Sequence, residues 1–66
     1  MEITVNGTIH PLSDSPTLAQ LLDQLALTGK RVAVEVNGDI VPRGEHASRV
    51  LRDGDRVEII HAIGGG

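Results

Sequence analysis

Two Asn-Gly dipeptides, Asn6-Gly7 and Asn37-Gly38, restrict what this chain can fold into more than any other feature. Asn-Gly tolerates positive φ at both central positions of a two-residue hairpin turn, and each pair here is flanked by alternating residues. Glu2, Ile3, Thr4 and Val5 alternate polar and apolar before the first turn, and Thr8 and Ile9 resume after it. Val32, Val34 and Val36 alternate with Ala33 and Glu35 before the second, and Ile40 and Val41 return. Two hairpins are predicted. Each returning strand meets a proline, Pro11 or Pro42, so both strands are short, and the one carrying Pro11 is expected at a sheet edge.

Between the hairpins the period changes. Thr17 and Gln20 have capping-box spacing, and Leu18, Leu21, Leu22 and Leu25 fall at i, i+3, i+4 and i+7 while Gln20, Asp23 and Gln24 point away. This predicts a helix from about Leu18 to Thr28-Gly29, with Gly29 as a left-handed cap and Lys30 and Arg31 near the negative end of its dipole. The leucine stripe has the form of a partner-helix seam, but a small sheet needing cover makes core its expected use. From Arg43 to Arg52 the pattern is irregular, with one helical turn expected over Glu45 to Ser48 and with Val50 and Leu51 tucked against the core. Asp53-Gly54-Asp55 reads as a turn requiring positive φ at the glycine. The last strand then runs from Arg56 to about Ala62, with Val57 and Ile59 toward the helix and Arg56, Glu58, Ile60 and Ala62 on the other surface.

The order strand, strand, helix, strand, strand, strand gives an α+β domain. Pairing the first and last strands centrally and in parallel would bury Ile3, Val5, Val57 and Ile59 together, which is the ubiquitin-like β-grasp arrangement of about five strands on one main helix. A chain of 66 residues has room for one such domain over 1–66. Without cysteine or aromatic residues, its core must be Val, Leu and Ile, and no disulfide or thiolate metal site can staple it. A formal net charge of -3, and no aromatic platform for stacking bases, argue against a nucleic-acid partner. No apolar run reaches membrane-spanning length and Met1 to Asn6 lack a secretion signal, so a cytoplasmic protein with no membrane partner is expected.

No side-chain constellation suggests catalysis. His10, His46 and His61 lack ligand spacing, so no metal is expected. Asp53 and Asp55 share a glycine turn of the kind that usually solvates a loop, and no phosphate cradle or Ser-His-Asp arrangement is supported. The chain is not expected to be an enzyme. What remains is the ending Ile63, Gly64, Gly65, Gly66, where three successive glycines should leave the last strand as a thread carrying the terminal carboxylate. Extended, 63–66 would reach roughly 13 Å, through a channel too narrow for side chains. Ile60 and Ala62, beside that thread and joined by Ile63, are candidates for a docking surface, although singly exposed apolar residues are common. A frayed terminus or inert linker is the plainer alternative.

The stretch from Val32 to Arg43 (VAVEVNGDIVPR), that from Leu51 to Ile59 (LRDGDRVEI), and the ending Gly65-Gly66 resemble the thiamine-pathway sulfur carrier family, ThiS. The resemblance covers essentially the whole chain, including the early strand with Asn6 and the capped helix at Thr17. It departs at His46, where an aromatic residue is frequent. It implies that Gly66 is adenylated by an E1-like adenylyltransferase of the ThiF type using ATP. Sulfur from a persulfide donor enzyme then makes a thiocarboxylate, which donates to a thiazole synthase of the ThiG type. The carrier itself would bind no cofactor and have no active site of its own. The molybdopterin synthase small subunit and ubiquitin-like protein modifiers share the fold and ending, and remain alternatives.

Overall fold

Both hairpins form in the computed structural model, which describes residues 1–61. β1 (Glu2–Val5) turns into β2 (Thr8–Pro11), and β3 (Val32–Val36) into β4 (Asp39–Val41). Asn6 and Asn37 take φ of 50° and 54°, and the glycines after them 83° and 90°, the turn whose twist suits paired strands. β5 (Arg56–His61) completes a single sheet of order β2-β1-β5-β3-β4. β1 and β5 are parallel, with Thr4 opposite Arg56 and Val5 opposite Val57; every other pairing is antiparallel. The two strands that meet proline are the two edges.

α1 (Leu18–Gln24) covers one face of this sheet. Thr17 Oγ1 accepts from the Gln20 N–H at 3.1 Å and Gln20 Oε1 accepts from the Thr17 N–H at 2.8 Å, so the capping box is complete. The remaining first-turn donors are met from elsewhere in the chain. Leu18 N–H donates to the Arg49 carbonyl at 2.8 Å and Ala19 N–H to the His46 carbonyl at 2.9 Å, which ties the 42–51 connection over the helix start.

The helix is shorter than its leucines predict. It ends at Gln24, with Leu25 rather than Gly29 next to the left-handed residue, and its last turn holds no basic side chain. Ala26 is that residue, at φ 61°. Its N–H donates to the Asp23 carbonyl at 3.0 Å and that of Leu27 to the Leu22 carbonyl at 2.8 Å, the bond pair of a Schellman cap. Periodicity supplies the reason. A continued helix would rotate Leu27 to the side opposite Leu18, whereas the cap turns it back to pack on the core. Gly29, at φ 82°, belongs instead to the turn that Lys30 N–H closes on the Leu27 carbonyl at 3.0 Å.

The turn expected over Glu45 to Ser48 forms, with Ser48 N–H and Arg49 N–H donating to the Glu45 carbonyl at 3.1 and 2.9 Å, and a 3-10 turn over Arg43–Glu45 runs into it as Glu45 N–H closes on the Pro42 carbonyl at 2.8 Å. One detail of the connection differs from expectation. Leu51 is fully buried but Val50 is 49% exposed. Val50 bridges Thr17 through extended backbone, where successive side chains point opposite ways, so only one of the pair can enter the core. His46 is buried with Nε2 3.0 Å from the Val41 carbonyl oxygen. A carbonyl only accepts, so Nε2 carries the proton, and the bond offsets the cost of burying a polar ring in an otherwise aliphatic core.

Candidate functional site: the last strand and the sheet face beside it

Of the residues singled out for function, Ile60 is described; Ala62, Ile63, Gly64, Gly65 and Gly66 lie outside the described residues. What the structure builds is the strand that leads to them. β5 occupies the centre of the sheet, and each Asn-Gly turn grips it from one side. Asn37 Oδ1 accepts from the Arg56 N–H at 2.9 Å, and Asn37 Nδ2 donates to Asp55 Oδ1 at 2.9 Å. Asn6 acts further along. Its backbone N–H donates to the Val57 carbonyl at 2.9 Å, its Oδ1 accepts from the Ile59 N–H at 2.7 Å, and its Nδ2 donates to the Ile59 carbonyl at 3.2 Å. The side chain therefore replaces the ladder bonds that β1 would have made had it not turned away. Composition identifies Asn6 and Asn37 as turn formers; this second use depends on where β5 lies, which local pattern does not specify.

The aspartates of the following turn are also employed structurally rather than left to solvate a loop. Asp53 Oδ1 accepts from the Glu2 N–H at 2.7 Å, and Gly54, at φ 85°, donates its N–H to the Glu2 carbonyl at 2.7 Å. Asp55 Oδ2 accepts from the Arg52 N–H at 2.8 Å while its other oxygen holds Asn37. Both carboxylates have backbone tasks at the start of β5. Among the described residues no group of three or more His, Cys, Asp or Glu is placed to hold a metal ion, and no helix is long and apolar enough to cross a membrane.

Beyond Ile59, β5 is paired on one side, with Ala33 opposite Ile60 and Val32 opposite His61. Val57 and Ile59 face the helix as expected, and Ile60 is 52% exposed on the other face. Beside Glu58, which alternation already places on that face, register brings Glu35 and Ile40. Glu35 lies opposite Glu58 across β3 and β5, and Ile40, 60% exposed, lies opposite Glu35 across β4 and β3. The side that Ile40 takes is set by Val36 pairing with Asp39 across the turn, which fixes the register of β4 on β3.

A mixed sheet with a parallel central pair, covered on one face by a helix and with its last strand held from both sides by asparagine side chains, is the architecture of a β-grasp protein. Within that class, the chain belongs to the ThiS family, whose model matches residues 2–66. The crystal structure of the thiamine biosynthesis protein ThiS from Geobacter metallireducens superposes with a TM-score of 0.86 at 33% identity, each chain being covered in full. The sulfur carrier protein ThiS of Escherichia coli K12 is 32% identical over 66 residues, again the whole of both chains. A thiazole synthase of Paramagnetospirillum magneticum is 41% identical over 66 residues; the match takes in all of this chain, which spans only 20% of that protein's length.

Proposed function

We propose that this chain is the sulfur carrier for thiazole formation in thiamine biosynthesis, with Gly66 as the reacting residue. The observation that carries this reading is the likeness, over all 66 residues, to a sulfur carrier protein, together with the glycine run Gly64-Gly65-Gly66. A carboxylate is a poor electrophile because its charge is delocalised and it lacks a leaving group. In the proposed sequence a ThiF-type adenylyltransferase supplies both remedies. A Gly66 carboxylate oxygen attacks the α-phosphate of ATP, pyrophosphate leaves, and the carboxyl becomes an acyl adenylate. The terminal sulfur of a protein persulfide, supplied by a sulfur donor enzyme, then attacks the acyl carbon and AMP leaves, giving an acyl disulfide. A thiol of the partner attacks the outer sulfur of that disulfide, closing its own disulfide and releasing the thiocarboxylate on Gly66. A ThiG-type thiazole synthase takes the sulfur from there and the carboxylate is regenerated. The chain serves as co-substrate throughout, and ATP is consumed by its partner.

Each requirement has a physical counterpart in the sequence. A Cβ on Gly66 would crowd the in-line approach of its oxygen to phosphorus, and side chains on Gly64 or Gly65 would widen a segment that has to enter two differently shaped sites. Ordering glycines is entropically costly, so affinity has to come from the folded body, with the Ile60 face, Ala62 and Ile63 as the proposed contact. The absence of cysteine agrees with sulfur being held on the main chain. The test is incubation of the full chain with ATP, its activating enzyme and a persulfide donor, followed by intact mass measurement. An increase of about 16 Da, oxygen replaced by sulfur through the activated acyl group, is expected. An unchanged mass with an enzyme proven active would refute the reading.

A further inference from the structure

The sheet face away from α1 carries an arrangement that folding alone does not favour. Glu35 and Glu58 are directly opposed across β3 and β5, both half-buried, at a separation of about 5 Å between Cβ atoms where like charges destabilise a sheet. Exposed apolar residues stand on either side of them: Ile40 opposite Glu35, and Ile60 next along β5 with Ala33 opposite it. Of the chain's six Lys and Arg, only Arg56 lies in a strand, two residues before Glu58 on the same face. The patch thus combines two uncovered isoleucines with paired negative charge, beside the strand that leads to Gly66.

We propose that this face docks on thiazole synthase, with an arginine of that enzyme seated between Glu35 and Glu58 and apolar side chains resting on Ile40 and Ile60. The inference rests on the carrier reading and adds the partner's chemistry to it. Charge complementarity selects a cation, and a guanidinium, whose planar fork can bond two carboxylates at once, suits the pair better than a compact ammonium. The choice of enzyme follows from the relative named thiazole synthase, which contains within its own length a segment similar to the whole of this chain. A partner held at Ile60 would also lie within roughly 20 Å of extended chain from Gly66.

Titration calorimetry of the full chain against thiazole synthase from the same organism, at low and high salt, tests this directly. Wild-type binding should weaken as salt rises. The double variant E35Q/E58Q should bind at least about tenfold more weakly and lose most of its salt dependence. It should also melt about 1–5 °C higher, since a repulsive pair has been removed. That opposite movement of binding and stability is not produced by a structural role. Ile60→Ala should weaken binding, and Ile9→Ala, at the far edge of the same face, should not. Wild-type affinity in E35Q/E58Q, or no binding by the wild-type chain, would overturn the proposal. So would intact synthase binding accompanied by loss of adenylation, which would give the face to the activating enzyme. Thiocarboxylate formation by the wild-type chain, followed in parallel, judges the carrier reading separately.

Discussion

The two faces of the sheet are built from the same strands by the same alternation, yet they hold different inventories. Toward α1 stand Ile3, Val34, Val36 and Val57, each at 1% exposure or less. Away from it stand Ile9, Ile40 and Ile60, each more than half exposed, with Glu35 and Glu58 between the last two. An isoleucine on the first face removes its surface from water on folding and stabilises by about 1.5–3 kcal/mol, while one on the second contributes little until something covers it. In a chain this short the first face supplies most of the stability, so the apolar residues of the second are available for recognition. The asparagines join the two roles, because they fix the strand that serves both faces.

If this division is right, substitutions should rank by face and by connection to β5. The largest effect is expected from Leu51→Ala, which empties a fully buried site and should cost about 2–5 kcal/mol, comparable to the whole stability of a domain of this size. Urea denaturation followed by circular dichroism would measure it, and a loss under 1 kcal/mol would break the assignment of the core. Next come Asn6→Gly and Asn37→Gly, which keep the left-handed backbone but delete the side-chain bonds to β5. A loss of about 1–3 kcal/mol is expected for each. Amide exchange should accelerate first at Ile59 in the former and at Arg56 in the latter, and exchange that rises equally throughout would show that the grips are not local.

Ala26→Gly should go the other way, stabilising by about 0.5–1 kcal/mol by relieving a Cβ held at φ 61°. A lower melting temperature in that variant would contradict the cap described for α1. The smallest effect on stability is expected from Ile60→Ala, within about 0.5 kcal/mol of wild type. A loss like that of Leu51→Ala would erase the distinction between the faces.

Much of this architecture was legible in the sequence, and the exceptions have a common cause. Asn-Gly turns, alternation and the Thr17–Gln20 box are local signals, and they located both hairpins, the helix start and, through Val57 and Ile59, the inward side of the last strand. The helix end is hidden from the sequence because the stripe through Leu25 continues the period, whereas Leu27 is satisfied only by a left-handed turn at Ala26 that depends on the core beyond it. Val50, an apolar residue next to Leu51, has the local pattern of a buried residue, and only the extended backbone turns it outward. At the candidate site, Ile60 was read from alternation. Glu35, Glu58 and Ile40 became a group only through register, and the asparagine grips only through sheet order.

The claim at the centre is that the folded body presents and recognises while the chemistry belongs to the terminal glycine. It is tested most directly by comparing the wild-type chain with Gly66→Val and with a form extended by one residue, each incubated with ATP, the activating enzyme and a persulfide donor and then weighed intact. A gain of about 16 Da is expected in the wild-type chain alone, with the same melting temperature in all three. Undiminished conversion of either altered terminus would contradict it.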